Sequence, residues 1–167
     1  MEFCRKEDVL EIAELDPFLA ELLRQIPEST NPDGAEAAEK RLFSAPAHSD
    51  LRNICAEWKV YVEPELRRLF RTATETVAAD LKQLNACEKP FANCLLKIPL
   101  AHAEAWLSAL NQARLVIAAK YEFTEGELCD HYRSPIGSRR DLSLFQVNFY
   151  GFLQEFILRE MGERDPT

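Results

Sequence analysis

Apolar residues recur every three or four positions over most of the chain, which is the spacing of amphipathic helices. Together with proline, glycine and capping residues, this pattern predicts helices near residues 17–26, 35–43, 51–62, 64–84, 100–121 and 140–161, and a short helix ending near 132. Residues 9–15 fit neither the helical period nor the period of 2 of a half-buried strand, so we interpret them as a strand or an extended arm. Residues 95–98 are a second extended candidate.

The helix starts support these boundaries. Asp16 followed by Pro17 is a favourable start, because Asp caps free backbone N–H groups and proline has none to lose at the first position. Thr124 and Glu127 fit a capping box. With only five glycines and nine prolines in 167 residues, long helices are favoured over many short strands. The sequence therefore predicts an all-α fold, a single-domain helical bundle of about six helices over 1–167 with a short extended N-terminal arm.

The apolar stripes also predict the core. Trp58 lies on the apolar stripe of the helix at 51–62 and is expected to be a core anchor. The last helix carries an aromatic stripe, which is either core or, if that helix is exposed, a self-association surface for a homodimer. This stripe consists of Phe145, Phe149, Phe152 and Phe156.

Charge and hydropathy narrow the class of partner. The chain carries 20 Lys and Arg against 28 Asp and Glu, a formal net charge of -8 that repels phosphate backbones and anionic membrane surfaces. No helix-turn-helix pattern is evident, so high-affinity direct binding to nucleic acid is not expected. No apolar run reaches the roughly 18 residues of a membrane span, and the charged N-terminus does not fit an export signal. The sequence predicts a cytoplasmic protein that binds protein partners and does not act at a membrane.

Short signatures of catalysis and cofactor binding are missing from the sequence. There is no Gly-rich phosphate loop, no G-x-S-x-G, no H-E-x-x-H and no C-x-x-C. We therefore expect no metal, no cofactor and no enzymatic activity. His102, beside Glu104 at the start of the helix at 100–121, is interpreted as a helix-end histidine.

Two residue pairs leave alternatives open. Five cysteines without an export signal are expected to be reduced thiols, yet the turn between Cys87 and Cys94 could bring these two sulfurs within disulfide reach. They are either ordinary thiols or a redox-responsive pair. Asn111 and Arg114 stand three residues apart on one helix and can face one neighbour. Arg114 either pairs with a carboxylate such as Glu155 to fix helix register, or these three residues line a small-molecule pocket.

Similarity to a known family is carried by three short runs. These are Glu104-Ala105-Trp106, the segment 110–115, and Leu153-Gln154-Glu155. Through them, residues 98–118 and 145–162 resemble a bacterial domain-of-unknown-function family whose actinobacterial members are described as oxidative-stress-responsive transcriptional regulators. The resemblance implies a regulatory or protein-interaction protein that is stress- or redox-responsive. The alternative is a small-molecule-binding helical protein or enzyme with a pocket near Asn111, Arg114 and Glu155.

Overall fold

A three-stranded antiparallel sheet opens the fold. The computed structural model describes residues 1–45, 52–86, 94–129 and 136–162. Strand β1 (Glu2–Lys6) pairs with β2 (Val9–Leu15), and the turn between them places Glu7 at a positive φ of 53°. The other edge of β2 pairs with β3 (Cys94–Pro99), so the strand order is β1-β2-β3.

The all-α prediction is therefore wrong, because the fold is mixed α and β. The segments at 9–15 and 95–98 are strands that pair with each other, whereas no pattern in the sequence predicted β1. The period of 2 in β2 is broken because a bulge between Ile12 and Leu15 places these two buried residues three positions apart. Leu10 and Glu11 are buried as well. Leu10 and Ile12 belong to the core, while Glu11 is covered by ion pairs to Lys6 and Lys97.

Helices make up most of the remaining described chain, and none of them combines the length and the apolarity needed to cross a membrane. The predicted start at Asp16 is confirmed, since its side chain accepts a hydrogen bond from the backbone of Leu19 at 2.9 Å. The helices are α1 (Pro17–Arg24), α2 (Ile26–Ser29), α3 (Glu36–Phe43), α4 (Arg52–Glu57), α5 (Glu63–Leu81), α6 (Ala103–Lys120), α7 (Glu125–Cys129) and α8 (Arg139–Gly162). A π-helical turn (Trp58–Val62) joins α4 to α5, and 3-10 turns occupy Lys82–Ala86 and Leu100–His102.

Helix α6 lies at the centre of the core. Trp106, Leu110 and Ala113 are fully buried on it, and the same apolar cluster includes the inner face of the sheet and one side of α8. The four phenylalanines of the aromatic stripe on α8 differ in burial. Phe149 and Phe156 are buried as the core interpretation requires, Phe145 is half-buried, and Phe152 is half-exposed with its ring 5.4 Å from that of Phe3. A homodimer through this stripe stays a prediction.

The outer edge of β3 is covered by a side chain. The amide nitrogen of Gln83 donates to the carbonyl oxygen of Lys97 at 2.8 Å, and its amide oxygen accepts from the Lys97 backbone N–H at 3.3 Å. Gln83 thus makes the hydrogen bonds that a neighbouring strand would make, and this protects the edge of β3 against pairing with another chain.

Candidate interaction surface

The helical segment from Arg52 to Leu81 changes its winding at the π-helical turn. A π turn closes each hydrogen-bonded ring with one residue more than an α turn, so it shifts the phase of the side chains. From Cys55 to Phe70 the half-buried side chains follow one another at steps of three or four residues, except for a step of five from Trp58 to Glu63 across this turn. The π-helical turn therefore accommodates one extra residue while α4 and α5 still face the same neighbour.

That neighbour is the C-terminal end of α3. The indole nitrogen of Trp58 donates a hydrogen bond to the carbonyl oxygen of Phe43 at 3.0 Å, and the rings of Phe43 and Phe70 lie 5.8 Å apart. The guanidinium carbon of Arg67 lies 3.7 Å over the Phe43 ring, a cation–π contact. Trp58 is only half-buried in this contact, so the prediction that it anchors the core is wrong.

Large apolar side chains on this helical segment are exposed. We call them the apolar patch, and their exposed fractions are 46% for Ile54, 62% for Val60, 72% for Tyr61, 41% for Val62 and 55% for Leu69. No residue from 53 to 72 is buried. A cluster of exposed apolar side chains on one element is the usual mark of an interaction site.

A cleft lies between this helical segment and α3, and its lining contains none of the five side chains of the apolar patch. Its volume is about 450 Å³, and Phe43, Cys55 and Trp58 form apolar parts of its wall. Lys59 and Arg67 lie on its lining as well. An aromatic-lined cavity of this kind can receive an apolar side chain from a docked partner, as binding hot spots do.

The part of this segment that carries the apolar patch, residues 52–72, has a net charge opposite in sign to that of the whole chain. Residues 52–72 carry five Lys and Arg against three Glu, whereas the whole chain has a net charge of -8. Arg67 is held between Glu39 and Glu63, each at 2.8 Å, and these hydrogen bonds, with Glu39 the stronger, raise the pKa of Arg67. Lys59 and Arg71 are exposed and form no ion pair within the described part of the chain.

The predicted redox pair lies partly outside the described residues. Cys94 is buried at the first position of β3, and its sulfur is in a disulfide bond, which differs from the expected reduced thiol. Cys87 lies outside the described residues, so the pair stays a prediction. Cys4, Cys55 and Cys129 are free thiols.

The two residues of the predicted polar pair on α6 lie in different environments. Asn111 is exposed, while Arg114 is half-buried between α6 and α8, where its Nη1 donates to Gln154 Oε1 at 2.6 Å. Within the described residues Arg114 forms no ion pair with Glu155, although the nearby Glu155 charge partly opposes the lowering of the Arg114 pKa by burial. Sequence reasoning did not predict Gln154 as the partner of Arg114. Gln154 and Glu155 are neighbours in the sequence, and only the rotation of α8 decides which of the two side chains reaches Arg114.

A second polar cluster joins α5 to the start of α6. The carboxylate of Asp80 is buried and accepts a hydrogen bond from the indole nitrogen of Trp106 at 2.9 Å, and His102 Nδ1 lies 3.0 Å from the same oxygen. His102 is thus a helix-end histidine with an oriented ring. Sequence reasoning missed Asp80 as its partner, because the two residues come from different elements. Within the described residues, no three His, Cys, Asp or Glu side chains are grouped to hold a metal ion.

Comparison with known proteins identifies the family but no function. No curated protein and no solved structure matches the chain. The DUF2017 family, described as a domain of unknown function, matches residues 6–161. This match confirms the resemblance to a family of unknown function, while the regulator description stays a prediction. Because the match extends over nearly the whole sequence, the chain belongs to the DUF2017 family of domains of unknown function.

Proposed function

We propose that this protein is a non-catalytic interaction module that binds an amphipathic helix of a protein partner on the apolar patch. The observation that carries the proposal is the exposure of five large apolar side chains on one helical segment, from Ile54 to Leu69. A helix that docks by its apolar face would bury these side chains and gain roughly 25 cal/mol for each Å² of apolar surface removed from water.

The charges around the patch favour an acidic partner. Lys59 and Arg71 are exposed cations without an ion pair in the described residues, and Lys59 also lines the cleft between this segment and α3. Acidic residues flanking the apolar stripe of the partner helix would complement these cations. Such contacts act more on association rate and specificity than on affinity.

The setting that we propose for this contact is regulatory and stress-responsive, following the resemblance seen in the sequence. In that setting the partner, and not nucleic acid, is the direct target of the module. The net charge of -8 supports a protein target over a phosphate backbone.

Photocrosslinking at the patch tests the proposal. With a photoreactive phenylalanine at position 61, we expect a partner helix to be crosslinked in cells, and Leu69→Asp to abolish the product. Leu158→Asp is the matched control, because Leu158 is 57% exposed on α8, outside the patch, and Leu69 is 55% exposed. A partner that is crosslinked equally by the Leu69→Asp variant would refute docking at this surface. A change in crosslink yield after mild peroxide treatment is expected if the contact is stress-responsive.

A further inference from the structure

A second, polar cleft lies between α1, α2, the end of α6 and the start of α8, away from the apolar patch. Its volume is about 410 Å³, within the range of about 300 to 1,000 Å³ that small-molecule sites occupy. The lining includes buried Ser143 and Gln146. Buried polar side chains that line a cleft are a feature of sites that orient a ligand.

The orientation of the Gln146 amide is fixed by a buried chain of hydrogen bonds. The hydroxyl group of Tyr150 donates to the backbone carbonyl of Leu22 at 2.7 Å, so the Tyr150 oxygen is left to accept. The group of Gln146 that lies 2.7 Å from this oxygen must therefore be the NH₂ group. Further acceptors lie near the same nitrogen, Gln25 Oε1 at 3.3 Å and Ser29 Oγ at 3.4 Å.

This orientation leaves the carbonyl oxygen of Gln146 for a ligand. Within the described residues Oε1 accepts no hydrogen bond, and it is not among the fully buried side-chain atoms that lack a partner. A solvent-accessible acceptor on a side chain that is only 7% exposed points to a ligand N–H group. Because the amide is already held in place, binding costs little side-chain entropy.

The cleft lining contains both acidic and basic side chains. Glu21 and Glu28 come from α1 and α2, whereas Lys120 and Arg139 come from α6 and α8. Glu21 is paired with Arg24, and Lys120 Nζ donates to the carbonyl oxygen of Asn31 at 2.9 Å, just after α2. Glu28, Lys120 and Arg139 form no ion pair within the described part of the chain. A ligand with one positive and one negative group matches this combination of charges.

We propose that the polar cleft binds a small zwitterion of the free amino acid class. The ammonium group donates to Gln146 Oε1 and pairs with Glu28, and the carboxylate group pairs with Arg139. This binding site is independent of the apolar patch, so the protein would sense a metabolite at one surface and contact its partner at another.

Nuclear magnetic resonance titration tests the proposal with the free L-amino acids as probes, each added to the intact protein. We expect at least one probe to give saturable shifts of the Gln25 and Gln146 side-chain amide signals. The N-acetyl amide of the same amino acid lacks both charges and is expected to give none. Absence of a saturable shift with every probe, or equal shifts with the acetylated amide, overturns the proposal.

Charge variants test whether the amino acid probe binds in the polar cleft. Arg139→Gln and Glu28→Gln are each expected to raise Kd roughly tenfold, as loss of one charge-assisted hydrogen bond implies. Arg71→Gln and Glu75→Gln are the matched controls, since both side chains are exposed on α5 and lie outside the cleft lining. All four residues are exposed, so the variants are expected to fold. An unchanged Kd for both cleft variants overturns the assignment of the probe to this cleft.

Discussion

The guanidinium group of Arg114 lies against the backbone of Gly151, so that a Cβ atom at Gly151 would stand 3.2 Å from Arg114 Cζ. A side chain at this position of α8 would require the Arg114 guanidinium to shift by a few tenths of an ångström. Arg114 Nε is buried without a hydrogen-bond partner in the described structure, while Nη1 is held by Gln154. The position of the half-buried Arg114 side chain therefore depends on the absence of a side chain at Gly151.

This coupling predicts non-additive effects on stability. In an Arg114→Ala background, Gly151→Ala is expected to stabilise the protein by about 1 kcal/mol, because alanine is the better helix former. In the wild-type background the same substitution pushes the Arg114 guanidinium away from Gln154 and is expected to gain less or to destabilise. Urea denaturation of the four proteins of this double-mutant cycle measures the difference. Equal effects of Gly151→Ala in the two backgrounds would show that the contact between positions 114 and 151 contributes nothing to the free energy of unfolding.

Asp80 is expected to stabilise the join between α5 and α6 through the Trp106 indole. Asp80→Ala leaves a fully buried N–H group without its acceptor, at a cost of about 2 kcal/mol in the free energy of unfolding. Asp80→Asn retains an oxygen acceptor and should cost less. His102→Ala should also cost less, because His102 is 40% exposed and water can replace it. A larger loss for His102→Ala than for Asp80→Ala, measured by urea denaturation, would contradict this assignment.

Helix positions could be predicted from the sequence because their signals are local. The start of α1 at Pro17 follows from its capping residue, and α6 and α8 follow from apolar spacing. The sheet required pairing between residues 9–15 and 94–99, which are far apart in the chain, and β1 has a polar or partly exposed residue at every position. Local patterns therefore identified two extended segments without predicting the sheet that they form.

Burial of the apolar stripes could not be predicted in the same way. A stripe shows that a helix has an apolar face, and it does not show what covers that face. Ile54 and Val62 follow the same spacing as core residues but remain exposed, because a π-helical turn and the contact with α3 set the rotation of this helix. Apolar spacing therefore predicts a buried face for Ile54, Val62 and Leu69, three side chains that belong to the exposed apolar patch.

The link between α7 and α8 is expected to weaken in acid. Hydrogen bonds from Arg140, and from the backbone and side chain of Thr124, lower the pKa of Glu127 from 4.5 to about 2. A carboxylate whose pKa is depressed by folding adds stability above its unfolded pKa, and this stability is lost as the pH falls through the folded value. Glu127→Gln should therefore be less stable than wild type near neutral pH, and the difference should vanish as the pH falls from 4.5 towards 2. Urea midpoints across this range provide the measurement, and a difference that does not change with pH would contradict the pairing.

The thiols are expected to fall into two classes. In unfolded, unreduced protein, an alkylating reagent should modify Cys4, Cys55 and Cys129, which are free, and should modify Cys94 only after reduction. Peptide mapping of the unreduced protein tests the predicted link to Cys87. Intact mass counts the adducts. Alkylation of Cys94 without reductant would remove the basis for a redox-responsive pair.

Insertion of one alanine after Tyr61 tests whether the length of the π-helical turn positions the apolar patch. The step from Trp58 to Glu63 then becomes six residues, which neither an α turn nor a π turn places on one face, so α4 is rotated by about 100° relative to α5. Trp58 then loses its hydrogen bond to Phe43, while the core is retained because no residue from 53 to 72 is buried.

Acrylamide quenching should report the rotation, because Trp106 is fully buried and Trp58 dominates the quenched emission. We expect stronger quenching of the insertion variant, loss of the partner crosslink at position 61, and an unchanged helical circular dichroism signal. Val60→Ala retains the chain length and should behave as wild type in all three measurements. If the insertion variant quenches and crosslinks like wild type, the length of the π-helical turn does not set the rotation of the patch, and the exposed side chains alone determine partner binding.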